Sequence, residues 1–218
     1  MKQSTYGWFP YIIKISMPIY CVLIKYRKGH RTNKTGEDII MEDILILVDE
    51  KDQEIGHMGK MEAHIEKKLH RAFSLFLYDS KENTMLIQRR AYGKYHSGGC
   101  WSNSCCSHPR KGEELPVAVV RRTKTELGID ILEEKLIYCG KFQYFAQFEK
   151  VAEHEIDNVF VYDYSGQDKT LIVGNPEEVD SLMWIPLGEL EDWLARERES
   201  FSTWFPQAFA FALKAIRR

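Results

Sequence analysis

The sequence predicts an α/β (α+β) fold, with mixed sheets sandwiched by helices in a single domain. Three observations support this: several short β-rich runs, one sharply delimited central helix, and two helical segments near the C-terminus. The 218 residues are 44% hydrophobic and 28% charged, enough to build a full core without disulfide staples. Ile44 to Val48 is a continuous apolar run that reads as a buried strand and ends in the charged turn 49–52. Gly56 and Gly59 lead into a polar, His-containing loop at 60–70. Arg71–Tyr78 and Thr84–Arg89 flank Asp79-Ser80-Lys81-Glu82-Asn83, a hairpin signature. Residues 91–112 are rich in Gly, Ser, Asn and Cys without periodicity and read as an irregular loop, of a length that is usually functional. A helix follows over 113–128: acids open it, Pro116 is tolerated in its first turn and Gly128 stops it. Its apolar face carries Leu115, Ala118, Val119 and Leu127. Leu136–Tyr138, Phe142–Phe148, Ile156–Tyr164 and Met183–Ile185 are strand-like. Pro186 starts a helix through Leu194, and a last helix begins at Pro206 with Phe209, Leu213 and Ile216 on one face.

The first forty residues read differently. Phe9 to Ile24 is apolar but is interrupted by Pro10, Lys14 and Pro18, which argues against a membrane span of roughly 20 apolar residues. It also lacks the charge order and small-residue cleavage step of a signal peptide, leaving membrane-surface contact as a minor reading. Arg27 to Asp38 is linker-like. The expectation is therefore an N-terminal extension over 1–40, accessory or poorly ordered, and a catalytic domain over 41–218. Thirty basic against thirty-two acidic side chains give a net charge of −2, so no global basic excess points to nucleic acid. Five cysteines without a CxxC pair, two of them the vicinal Cys105 and Cys106, suggest reduced thiols in a cytoplasmic protein.

Three constellations carry chemistry. On the central helix, Arg122 and Glu126 are an i,i+4 pair, equally readable as a solvated surface pair. His64, His70, His108, Glu153 and Glu155 form a possible octahedral Mn²⁺ or Mg²⁺ set, with Zn²⁺ also possible. Two glutamates two apart on a strand face the same way and repel unless a cation lies between them. Spacing alone does not show that the five converge. Around Cys100-Trp101-Ser102-Asn103-Ser104-Cys105-Cys106-Ser107-His108, the readings are a buried structural thiol, a zinc knuckle without an evident fourth ligand, or a reactive thiol at Cys106.

The helix from Glu113 to Ile129 resembles the Nudix box, with Ser107, Arg122 and Thr125 where the box has its first Gly and its second and third Glu. A cation in place of a carboxylate favours clamping a diphosphate over hydrolysing it. Taken together, Leu69-His70-Arg71-Ala72-Phe73-Ser74, Gln88-Arg89-Arg90-Ala91, Trp101 to Pro109, Arg121-Arg122 to Gly128 and Glu153-His154-Glu155 resemble the type I isopentenyl-diphosphate isomerases in order and spacing, from about Met41 to near the C-terminus. The resemblance implies a Nudix-type fold that interconverts isopentenyl and dimethylallyl diphosphate, with no redox cofactor. It implies Cys106 as the active-site thiol, Glu155 as the catalytic carboxylate assisted by Tyr144, and the His64, His70, His108, Glu153, Glu155 set as metal ligands. Glu126 would hold a Mg²⁺ on the substrate diphosphate. Lys60, Arg90, Lys94 and Arg122 would contact the diphosphate, and Trp204 would lie near the isoprenoid carbon. Which group protonates first stays open, and a monomer or weak dimer is expected. The competing readings are a Nudix diphosphate hydrolase, against which Arg122 and Thr125 speak, and a non-enzymatic zinc-stabilised binding module.

Overall fold

The computed structural model describes residues 43–218, so the expected extension over 1–40 lies outside the described residues. Its organising element is β3 (His70–Asp79), ten residues alternating between two buried faces. β1 (Ile44–Val48), β4 (Thr84–Arg90) and β6 (Cys105–Ser107) pair antiparallel with it, and β8 (Ala152–Asp163) pairs parallel. β2 (Glu54–Gly59) extends the sheet beyond β1, β5 (Trp101–Ser102) and β9 (Val179–Pro186) pair with β4, and β7 (Ile137–Gln147) pairs with β8. Among the described residues the result is a curled nine-stranded mixed sheet with four α-helices, α1 (Lys60–Ile65), α2 (Leu115–Leu127), α3 (Leu187–Arg196) and α4 (Phe205–Ile216).

Strand alternation divides the core in two. Phe73, Leu75 and Leu77 of β3 join Phe160 and Tyr162 of β8 beneath Ala118, Val119 and Leu127 of α2. Phe76, Val159 and Val161 point the other way and pack with Phe205, Ala208, Phe209 and Ala212 of α4. Both faces follow from the two-residue period of the strands, and both helices present the apolar stripes expected of them.

Several elements depart from the sequence expectation. The loop expected at 60–70 contains α1, whose buried residues are Ala63 and His64; an imidazole in the apolar stripe disguised the helix. The irregular stretch 91–112 contains β5 and β6, at two and three residues too short to show a period. β2 was not anticipated because its two glycines weaken a strand signal. The segments at 136–138 and 142–148 are one strand, bent by a bulge near Gly140, whose φ of +121° favours glycine. The central helix starts at Leu115, with Glu114 as its N-cap, and ends at left-handed Gly128 as expected.

The β3–β4 turn has its own anchor. Asp79 Oδ1 accepts hydrogen bonds from the backbone N–H groups of Lys81 and Glu82 at 3.0 and 3.1 Å, and Oδ2 lies 2.8 Å from Lys169 Nζ. The Lys169 bond, reinforced by the two backbone donors against a burial penalty, holds the Asp79 carboxyl below its usual range. A carboxyl depressed in the folded state contributes stability above its unfolded pKa and loses it as pH falls through the folded value. Asp79→Ala should therefore cost about 1–3 kcal/mol in denaturant unfolding at pH 7. The deficit should shrink as pH falls below about 4; a pH-independent difference would contradict this assignment.

Candidate active site

The face of β3 that carries Phe76 beneath α4 becomes polar toward the strand's beginning, through Ser74 and, beyond Ala72, His70. β8 repeats the change: Val161 and Val159 belong to the core, while Asp157, Glu155 and Glu153 continue the same face. The parallel register sets His70 opposite Glu155 and Ala72 opposite Asp157. α1 adds His64, and the chain leaving β6 adds His108. One ligating atom from each of His64, His70, His108, Glu153 and Glu155 lies within 4.8 Å of all the others, so the five residues do converge.

Their hydrogen bonds fit a cation. His64 Nδ1 lies 2.5 Å from the Lys60 carbonyl and His70 Nδ1 lies 2.8 Å from the Lys68 carbonyl. A carbonyl only accepts, so each Nδ1 donates and each Nε2 turns toward the cluster; this is the support that metal-binding imidazoles receive. His64 Nε2 is 3.2 Å from Glu153, His70 Nε2 is 3.4 Å from Glu155 and His108 Nε2 is 2.7 Å from Glu155. Yet His70 Nε2 and Glu153 Oε1 make no hydrogen bond of acceptable geometry despite full burial. Orphaned atoms of this kind, in a buried site where five ligating side chains converge, suit a divalent cation. Burial raises the carboxyl pKa of Glu153, but the imidazoles of His64 and His96 close beside it outweigh this and hold the group well below its ordinary range. Glu155 is lowered as well: burial and Glu153 oppose ionisation, and His108 and His70 overcome them. Burial drives His108 well below the ordinary imidazole value despite its bond to Glu155, leaving a neutral imidazole.

Beside this cluster Tyr144, cross-strand from Glu155, donates its hydroxyl to Glu155 Oε2 at 2.5 Å. Burial, reinforced by the charge of Glu155, raises the phenol far above its ordinary value, so it remains a donor. Trp204 is 3% exposed; its Nε1 donates to Asn103 at 3.0 Å and its ring packs with Tyr144 and Ala146. Cys106 comes from the opposite edge of β3, paired with Ser74. Arg90 Nη1 lies 3.5 Å from its sulfur, and the guanidinium lies 5.1 Å from the Trp204 ring centre. Burial pushes the Cys106 thiol up to about 12 against the pull of Arg90, so it is protonated at neutral pH.

Lys60, Arg90, Lys94, Arg122 and Glu126 line the same pocket as Cys106, Tyr144, Glu153, Glu155 and Trp204. Arg122 and Glu126 form the expected i,i+4 pair, but Glu126 is buried and also accepts from Gln88 at 3.3 Å, so the pair is no solvated surface contact. Arg121 instead holds Glu113 through two hydrogen bonds, at 2.6 and 2.8 Å. Among the described residues the converging metal-ligating group contains no cysteine, and Cys105 is packed in the core, so the zinc-knuckle arrangement is not assembled.

Four further residues belong to this site that the sequence motifs do not mark. His96 places Nε2 2.5 Å from Glu153, and Tyr95 places its hydroxyl 3.3 Å from His64 Nε2. Asp157 accepts from Ser74 at 2.7 Å, and Glu178 contacts Lys94. Asp157 had a usable signal, since it continues the Glu153, Glu155 alternation. The others come from aperiodic segments.

The NUDIX domain family model matches residues 68–205, more than half of the chain. The chain is 46% identical over 165 residues to "Isopentenyl-diphosphate Delta-isomerase 2" of Aromatoleum aromaticum, covering 75% of this chain and 83% of that protein. It is 41% identical over 183 residues to the isopentenyl-diphosphate Delta-isomerase of Photobacterium profundum, covering 82% and 98%. Among solved structures, it resembles DR0079 from Deinococcus radiodurans with a TM-score of 0.59 at 21% identity, over 78% of this chain and 98% of that one. It also resembles a MutT protein from Methanosarcina mazei with a TM-score of 0.53 at 20% identity, over 67% and 95%. These structural likenesses support the fold, and the sequence relatives carry the finer placement. With its curled sheet and central helix, the chain belongs to the Nudix superfamily and, within it, to the isopentenyl-diphosphate Delta-isomerase family.

Proposed function

We propose that this protein interconverts isopentenyl diphosphate and dimethylallyl diphosphate, with Cys106 and the Glu155–Tyr144 pair moving the protons. The observation that carries the reading is the pairing of a protonated thiol with a buried carboxylate and its phenol donor in one aromatic-walled pocket with a cationic end. Moving the double bond requires a proton added to the terminal methylene, giving a tertiary cation, and a proton removed from the methylene on the other side of the cationic carbon. The two events balance, so no hydride, water or phosphate is consumed or released. Cys106 and Glu155 reach the pocket from opposite edges of β3, which suits an acid and a base acting on one carbon skeleton. Trp204 helps exclude water, and an aromatic face stabilises a cation by about 0.5–2 kcal/mol. That is small beside a whole barrier in which 1.36 kcal/mol is tenfold, so tuning the protonation of Glu155 is the larger effect.

In this reading His64, His70, His108, Glu153 and Glu155 hold Mn²⁺ or Mg²⁺, with Zn²⁺ compatible with the imidazoles, and the ion supplies the positive charge that lets two adjacent carboxylates stay ionised. Lys60, Arg90, Lys94 and Arg122 receive the diphosphate, and Glu126 is the acid for a Mg²⁺ accompanying it. Hydrolysis is disfavoured: Arg122 stands where the Nudix box has a glutamate, and the Thr125 hydroxyl is spent on the Arg121 carbonyl at 2.9 Å. A cytoplasmic monomer or weak dimer completes the proposal, the location resting on the free state of Cys100, Cys105, Cys106 and Cys139. No described helix is long and apolar enough to cross a membrane.

Two outcomes follow. With Mn²⁺ or Mg²⁺ in deuterated solvent, the protein should isomerise isopentenyl diphosphate, incorporate deuterium and release no phosphate. Cys106→Ala and Glu155→Gln should each lower kcat by about 10³-fold or more while leaving circular dichroism unchanged; near-normal turnover in both would remove the assignment. Separately, Mn²⁺ at about a hundredfold excess over Kd should stabilise chelator-treated protein by about 2.7 kcal/mol in thermal unfolding. Glu153→Gln should lose most of that gain, and an unshifted wild-type midpoint would contradict a five-ligand site.

A further inference from the structure

The cationic end of the pocket contains an anion of its own. Glu178, in the segment before β9, contacts Lys94 Nζ through Oε2, and its Oε1 lies 3.4 Å from Arg122 Nη2. The side chain is 21% exposed and lines the pocket with Lys60, Arg90 and Glu126. Its placement is fixed by backbone rather than by the carboxylate: the Ala91 N–H donates to the Glu178 carbonyl at 3.0 Å, and the Val179 N–H donates to the Asn175 carbonyl at 2.8 Å. Asn175 is tied in turn to α2, through its own N–H to the Glu126 carbonyl at 2.8 Å. The carboxylate is thus held where the loop bearing Lys94 meets the helix bearing Arg122.

Its neighbours show why a carboxylate is tolerable there. Lys60, Lys94 and Arg122 converge; burial and then the charges of Arg122 and Lys94 depress the Lys60 ammonium, while Asp43 and, after it, Glu178 act to restore it. Arg122 has a second carboxylate, Glu126, whereas Glu178 is the carboxylate that Lys94 contacts. A diphosphate brings more negative charge to the same donors and is stronger competition than one carboxylate. Substrate and product carry an identical diphosphate, so tight binding of that group is uniform across the reaction: it lowers KM, does not raise kcat, and slows departure of the product.

We propose that Glu178 is an internal counter-anion that occupies the cationic end of the pocket when no diphosphate is present and yields Lys94 and Arg122 to the diphosphate on binding. It thereby weakens the grip on a headgroup common to substrate and product. The inference rests on the reading of this pocket as diphosphate-binding and adds to it a residue that sets how firmly the headgroup is held.

The test uses the full-length metal-loaded protein and inorganic pyrophosphate as probe, by calorimetry and as a competitive inhibitor. Glu178→Gln keeps the shape and removes the charge; it should bind pyrophosphate about tenfold more tightly at low salt. KM should fall by a similar factor with no rise in kcat. Glu178→Asp, which retains the charge, should bind closer to the wild type, and Glu177→Gln, at an exposed neighbour, should not change pyrophosphate affinity. A residue that merely braced the pocket would give the opposite sign on removal, so equal or weaker binding by folded Glu178→Gln overturns the proposal. In the wild type, the Glu178 carboxyl carbon resonance should move on saturation with pyrophosphate as it loses Lys94, and a stationary resonance overturns the proposal without any variant. Wild-type protein that binds no pyrophosphate would overturn the diphosphate reading itself, and this inference with it, whereas binding without the Glu178 effect would overturn the inference alone.

Discussion

Two carboxylates two residues apart on a buried strand are the constraint around which this protein is organised. Glu153 is 1% and Glu155 6% exposed, and strand geometry points both into the same cavity. Burying a single unpaired carboxylate costs several kcal/mol, and two adjacent ones repel further. The surroundings answer that cost from every side: His64 from α1, His70 from β3, His108 beyond β6, His96 from the loop before β5 and Tyr144 from β7. The elements that meet at β3 bring these side chains together, and a divalent cation held among them would satisfy the atoms that remain orphaned.

The carboxylates share their pocket with the Trp204 and Tyr144 rings, the Cys106 thiol and the cations Arg90, Lys60, Lys94 and Arg122. Such a lining suits a ligand that carries both a reactive hydrocarbon and anionic charge. The Arg90 guanidinium approaches both the thiol and the indole. The position of α2 completes the arrangement: its apolar stripe is buried in the core while Arg122 and Glu126 reach the pocket.

What the sequence revealed depended on periodicity and on motif. The buried strand at Ile44–Val48, the hairpin about residues 79–83, the stop of α2 at Gly128 and the apolar stripe of α4 all carried local signals that packing reinforced. The strand face shared by Glu153 and Glu155 was readable for the same reason. α1 was not, because its buried face is Ala63 and His64 rather than an aliphatic stripe, and β6 was not, because three residues show no period. The residues resembling the isomerase motifs do converge, while His96, Tyr95 and Glu178 went unnoticed because their partners come from elsewhere in the chain. His96 meets Glu153 and Glu178 meets Lys94 only through long-range folding.

If one divalent cation joins the five side chains of the β3–β8 cluster, crystals of the protein soaked in Mn²⁺ and measured at the manganese absorption edge should show an anomalous difference peak about 2.0–2.3 Å from nitrogen atoms of His64, His70 and His108 and carboxylate oxygens of Glu153 and Glu155. No peak there, or a peak confined to the Glu126 end of the pocket, would contradict it.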